Sequence, residues 1–282
     1  MNVSSRQSLV AVISAVVWVV EPVTAVQIAP GGATDRGRSS QAVVDTNRSA
    51  LDPRMSEAND LYSDHQVMES LQLLEDVIDE RPEMYEALWA ATRSAVAQGL
   101  LSRGRDVQNQ WYRIGESYAR RASEVEPKGL EGLYWLLTSK GLRAAQSGGR
   151  DAAALSREVY DLAHQVLEAD SLHAGAHHAL GVLNYRVRRL STVERFMASN
   201  FMGGDVIDLT SWEDAERYLL RASELRPDYI LYHLDLGRMY LHRDQKEEAR
   251  RHLERALELP EVEPPDGRFQ RIADRRLEDA LN

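Results

Sequence analysis

The feature that most narrows the fold is a set of small residues held in register near the C-terminus. Gly237, Tyr240, Ala249, Leu253 and Ala256 follow the small–large–small pattern of a helix–turn–helix unit of about 34 residues. The preceding unit keeps the second half of that pattern in Ala215, Leu219, Ala222 and Pro227, and Pro227 stands 10 residues ahead of Gly237. Each position has a steric reason. A glycine in the first helix lets the second approach closely, and alanines two turns apart present one shallow face. A proline ends a helix because the residue before it avoids helical dihedrals. Bulkier residues would push the helices apart. Weaker copies lie upstream: Ala122 and Pro127 keep an offset of 5, Ser171 and Gly181 keep the offset of 10, and the intervals between unit ends stretch to about 45 residues. One such unit cannot bury its apolar face alone, so the pattern calls for a stack.

The rest of the chain agrees from residue 56 onward. Apolar residues recur three and four apart, Pro and Gly punctuate them, and alternating β-branched runs are missing. The spacing predicts helices over 56–80, 83–99, 106–125, 128–146, 151–169, 172–190, 211–225, 228–243, 245–258 and 266–281, with the largest insertion at 191–210. The expected fold class is all-α, a tetratricopeptide-like helical repeat array (α-solenoid) of antiparallel helix pairs over 56–282. Residues 26–55, rich in Gly, Ser, Asp and Arg, lack the burial needed to offset chain entropy and read as a disordered linker. Ahead of them, Arg6, the apolar run from Leu9 to Val20 and the small residues of Val23-Thr24-Ala25 have the layout of a signal peptide over 1–25. That run is shorter than the roughly 20 residues that span a bilayer. The expected location is therefore periplasmic or secreted, with tethering by an uncleaved N-terminal segment as the alternative. No other stretch is apolar enough to give the mature chain an integral membrane span.

Several chemistries are disfavoured by what the chain carries. It has no cysteine, which removes disulfides, thiolate metal sites and cysteine nucleophiles. Its formal charge of -10 opposes nucleic acid and anionic membrane surfaces. His173 and His177 stand four apart beside His178, the spacing of two metal ligands on one helical face, but neither a zinc-hydrolase Glu nor a spaced third ligand accompanies them. Gly148-Gly149 and Gly203-Gly204 lack the lysine and preceding strand of a phosphate loop and read as turns. The reading is a non-enzyme without metal or cofactor, whose partner is a protein or peptide and not nucleic acid.

Stacked pairs create a concave surface lined by the first helix of each pair. Counting from the small-residue position in each first helix places Trp89, Arg93, Tyr134, Thr138, His178, Tyr185, Arg186, Leu234, Arg238 and His242 on that surface. The lining is aromatic and basic, which suits a partner segment with acidic and apolar groups. Arg186, Arg188, Arg189 and Arg195 add a basic cluster between Tyr185 and Phe196; it serves either an acidic partner or the negative end of a helix dipole. The first functional expectation is a non-catalytic protein-interaction scaffold. The alternative is a periplasmic small-molecule-binding repeat protein associated with a transporter.

The stretches YEALWAATRSAVAQG at 85–99, WYRIGESYARRASEVEP at 111–127, HHALGVLNYRVRRLSTVERFMASNFMG at 177–203 and SWEDAERYLLRASELRPDYILYHLDLGRMYL at 211–241 resemble the regulator of microtubule dynamics family. So does the ending ALELPEVEPPDGRFQRIADRRLEDAL. The resemblance covers about 57–282 and implies a helical repeat fold acting as a scaffold or tether, in a family whose eukaryotic members associate with microtubules, mitochondria and membrane contact sites. This chain departs from the family after Phe201, where Met202-Gly203-Gly204-Asp205-Val206 replaces a proline-containing turn. Its N-terminus looks like an export signal of bacterial type, so the fold and the binding role are carried over as expectations and the cytoskeletal activity stays a family label.

Overall fold

The computed structural model describes residues 52–201 and 205–281. The signal peptide expected over 1–25 and nearly all of the linker expected over 26–55 lie outside them. Among the described residues there are twelve α-helices and no strand: α1 (Pro53–Ser63), α2 (Val67–Glu80), α3 (Tyr85–Leu101), α4 (Arg105–Val125), α5 (Leu130–Gln146), α6 (Gly149–Ala169), α7 (Ala174–Arg189), α8 (Thr192–Phe201), α9 (Trp212–Leu225), α10 (Ile230–His242), α11 (Lys246–Glu258) and α12 (Asp266–Leu281). A short 3-10 turn, Asp205–Leu209, follows α8. The pairs α1/α2, α3/α4, α5/α6, α7/α9 and α10/α11 stack in order, and α12 packs on α10 and α11 as an end cap.

The same local geometry recurs at the joins. Four-residue connections precede α3, α5, α7 and α10. In each, the first residue's N–H bonds back to the helix just ended, as Arg81 to Val77 at 2.9 Å and Arg226 to Ala222 at 3.0 Å. The fourth residue then bonds to the first, as Met84 to Arg81 at 3.0 Å and His173 to Asp170 at 3.1 Å. Pro82, Pro127 and Pro227 occupy the second place of three of these turns and Ser171 that of the fourth. Within pairs, glycine permits close approach: a Cβ on Gly237 would stand 2.5 Å from Leu253 Cγ, and one on Gly181 2.7 Å from Leu219 Cγ. Ala215, Leu219, Ala222, Ala249, Leu253 and Ala256 are all fully buried opposite them.

Two differences from the sequence expectation have clear causes. The single helix expected over 56–80 is a pair, α1 and α2, and it begins at Pro53 with Asp52 accepting from Arg54 N at 3.0 Å. The break falls at Asp64-His65-Gln66, where His65 takes φ 64° and Gln66 N bonds to Leu61 O at 2.8 Å. The α10–α11 turn is built alike, with Asp244 at φ 58° and Gln245 N bonding to Tyr240 O at 2.9 Å. Both turns use a non-glycine residue in the left-handed conformation, so neither Gly nor Pro announced the first one. The insertion expected at 191–210 is also partly helical, contributing α8 and the 3-10 turn between the two members of the fourth pair.

The array is closed across its ends. The connection from α11 to α12 reaches back to the first pair, where the His65 ring lies 3.4 Å from the Val262 carbonyl. Arg268, in α12, donates to Ser102 O at 3.5 Å. Glu263, Pro264, Pro265 and Asp266 are buried along this crossing, and Phe269 is fully buried in the main core beside it. Asp266 holds the turn by accepting from Glu263 N at 2.7 Å and Val262 N at 2.9 Å.

Candidate binding face

The first helices α3, α5, α7 and α10 line the inside of the array, and their side chains are confined by neighbouring pairs and by the closing segment. Of the residues expected to line a groove, Leu234 and Thr138 lie in the core, and Tyr134 is packed into a seam between units. The Tyr134 ring presses against the start of α7, 4.5 Å from the His173 ring, at the place where a Cβ on Gly175 would stand. His178 is buried as well: its Nε2 lies 2.9 Å from Asp235 Oδ2 and its ring stacks on Tyr232 at 4.7 Å. Tight packing of first helix on first helix is why these positions present no surface.

At the N-terminal end Arg93 is buried between three segments. It donates to Asn59 Oδ1 at 2.6 Å, lies over the Tyr62 ring at 4.0 Å and sits 5.8 Å from the half-buried Trp89 ring. Glu131 of α5 and Glu263 of the closing segment lie within its field, and burial pushes both carboxyls up to about 7. This end is filled by the chain itself.

The C-terminal end is different. Arg186 and Arg238 are part-buried, His242 is exposed, and Tyr185 and the half-buried Trp212 stand with His242 in a ring cluster at centroid distances of 6.0–6.4 Å. Arg238 donates to Asp235 Oδ1 at 2.9 Å, so both oxygens of that fully buried carboxylate are taken. Arg189 lies 5.8 Å from the Tyr185 ring, and Arg268 of α12 lies within the field of Arg238. Burial and Arg189 hold the His242 ring below the ordinary histidine range, so it is neutral near pH 7. Sequence reasoning missed Trp212 and Arg268. Trp212 opens a second helix, and Arg268 comes from the end cap; counting along first helices reaches neither.

The basic cluster divides in two. Arg188 donates to Ile207 O at 2.8 Å and to Thr210 O, and Arg195 donates to Arg188 O at 3.0 Å and to Leu190 O, so these two satisfy carbonyls around the α7 terminus and the insertion. Arg186 and Arg189 face the inner side. The three histidines are engaged separately: His173 Nδ1 accepts from Ala176 N at 3.1 Å as a helix cap, His177 lies 3.0 Å from Ser171 O, and His178 faces Asp235. No helix among the described residues is long and apolar enough to cross a membrane.

Paired antiparallel helices, identical joins and small residues at the close approaches define a tetratricopeptide-like helical repeat protein. The fold is similar to that of TTC0263, a thermophilic tetratricopeptide repeat protein of Thermus thermophilus, at TM-score 0.57 and 18% identity over 80% of this chain and 98% of that one. More distant likenesses are to YrrB, a repeat protein described as having an unusual peptide-binding site (TM-score 0.39, 14% identity, 81% and 94% of the two chains), and to MamA (0.41, 13%, 73% and 89%). No curated protein matches by sequence. The model of the family described as regulator of microtubule dynamics protein 1-3 matches residues 54–281, and the chain belongs to that family.

Proposed function

We propose that this protein is an exported, non-catalytic interaction scaffold that holds a segment of a partner protein against the open C-terminal part of its inner face. The observation that carries the reading is the juxtaposition of Arg186, Arg189 and Arg238 with Tyr185, Trp212 and His242, where the remaining inner face is filled. Aromatic rings supply contact area at small entropic cost and guanidinium groups supply directional charge-assisted hydrogen bonds, the pairing typical of binding hot spots. The reading requires no nucleophile, base or metal. Export is supported by the charged, apolar and small-residue succession over 1–25. A mature chain beginning near Val26 on mass analysis of protein from its native cells is the expected result, and an intact Met1 overturns export by cleavage.

The test places a photo-crosslinking residue at His242, on the inner rim, and separately at Arg221, on the exposed face of α9. Cross-linking in native cells is expected to join one protein specifically at position 242 and not at 221. The reverse pattern would move the interaction to the outer helices.

A further inference from the structure

We propose that Arg186 is the anchor of a carboxylate-binding site, receiving an acidic side chain of the partner segment. The inference rests on the scaffold reading and names the chemistry of its ligand. Between α4, α5 and α6 the cations are matched. Lys140 lies 2.5 Å from Glu158 and 3.3 Å from Glu116, and Glu116 also takes Arg143 and, at 2.7 Å, Arg120. Around Arg186 the balance is reversed. Arg189 and Arg238 stand within its field, Arg268 stands within that of Arg238, and Asp235 is a carboxylate in the field of Arg186. Asp235 is already divided between His178 and Arg238. Among the described residues Arg186 makes no hydrogen bond and no ion pair, although it is crowded enough that desolvation, followed by Arg189, pulls its guanidinium down to about 10. It nevertheless keeps accessible surface.

A crowded cation without a counter-charge lowers stability, and a ligand that supplies the charge recovers it. In a chain of formal charge -10, the excess of arginine here is local and is not a consequence of overall composition. The guanidinium fork matches a planar carboxylate through two parallel hydrogen bonds. Asp235 on Arg238 is an example of the same charge pairing on the same face. Tyr185, Trp212 and His242 would then flank the bound acid with uncharged rings, favouring an acidic residue set among apolar ones.

The probe is acetylated, amidated tetraglutamate, with tetraglutamine as control, titrated calorimetrically into the full mature chain at constant ionic strength. Saturable binding of tetraglutamate alone, with a raised Tm, is expected for the wild type. Arg186→Gln is expected to weaken it at least about tenfold and to raise the ligand-free Tm, whereas Arg221→Gln on the outer face leaves both unchanged. No saturable binding by the wild type overturns the proposal, as does equal affinity in Arg186→Gln. Binding of inorganic phosphate without tetraglutamate also overturns it, by assigning the site to a phosphoryl group. A cross-link at His242 together with failure of tetraglutamate would leave the scaffold reading standing and remove the carboxylate anchor.

Discussion

The two helices of each pair obey different rules. In the second pair, 12 of the 17 residues of α3 are buried, against 6 of 21 in α4; in the last pair the figures are 10 of 13 for α10 and 3 of 13 for α11. The outer helix buries one stripe and leaves a charged face to water, the arrangement of a surface helix. The inner helix is enclosed by its partner, by the neighbouring inner helices and, at both ends of the array, by the segment leading into α12. Enclosure on all sides removes most of the concave surface that stacking alone would leave open, so the open stretch around Arg186 carries the interest.

Substitutions can break this contrast, beginning with the strongest. Leu234→Ala on α10 is expected to cost about 2–5 kcal/mol in denaturant unfolding, because Leu234 is fully buried. Leu172→Ala, at a side chain 58% exposed, should change stability by less than about 0.5 kcal/mol. A small loss at Leu234 would mean that the inner face is open there. Ala249→Leu is expected to overpack the Gly237 contact and cost about 1–3 kcal/mol by the same measurement; an unchanged midpoint would refute the register of the last pair.

A smaller effect depends on pH. Burial, with the nearby Asp266 charge opposing ionisation, holds the Glu263 carboxyl up to about 7 against an ordinary 4.5, while Arg93 works in the other direction. Between those values the folded chain keeps on Glu263 a proton that the unfolded chain has lost, so the contribution of this group to stability falls as pH rises through the window. Glu263→Gln should flatten that part of the profile and make the variant more stable at pH 8 by on the order of 1–2 kcal/mol. A Glu263→Gln profile that runs parallel to the wild type from pH 5 to 8 would show that the closing segment is solvated. Smallest of all, Glu254→Ala on α11 removes the exposed pair with Arg250 and should cost under about 0.5 kcal/mol in thermal unfolding; a larger loss would deny that the outer face is merely solvated.

The same contrast explains what the sequence disclosed. Outer helices and joins were legible because their signals are local: an amphipathic stripe, a proline after a helix, an alanine pair two turns apart. The α1–α2 break was not, since His65 adopts a conformation usually marked by glycine. The binding face was legible in part. Periodicity placed Arg186, Arg238 and His242 on inner helices, but a helix buried all round has no phase that separates an open position from a core one. Hence Leu234 and Thr138 were counted with them, while Trp212 and Arg268 depend on long-range packing and were missed.

The most direct measurement compares capture of the partner by two charge reversals in native cells, Arg186→Glu on the inner face and Arg221→Glu on the outer. Both variants should fold, since Glu at 186 would stand among Arg189 and Arg238 and position 221 is a solvated pair with Glu224. Recovery of the wild-type companion by Arg221→Glu and its loss from Arg186→Glu is the predicted result. Retention by Arg186→Glu with loss from Arg221→Glu would place the working surface on the outer helices and contradict the account.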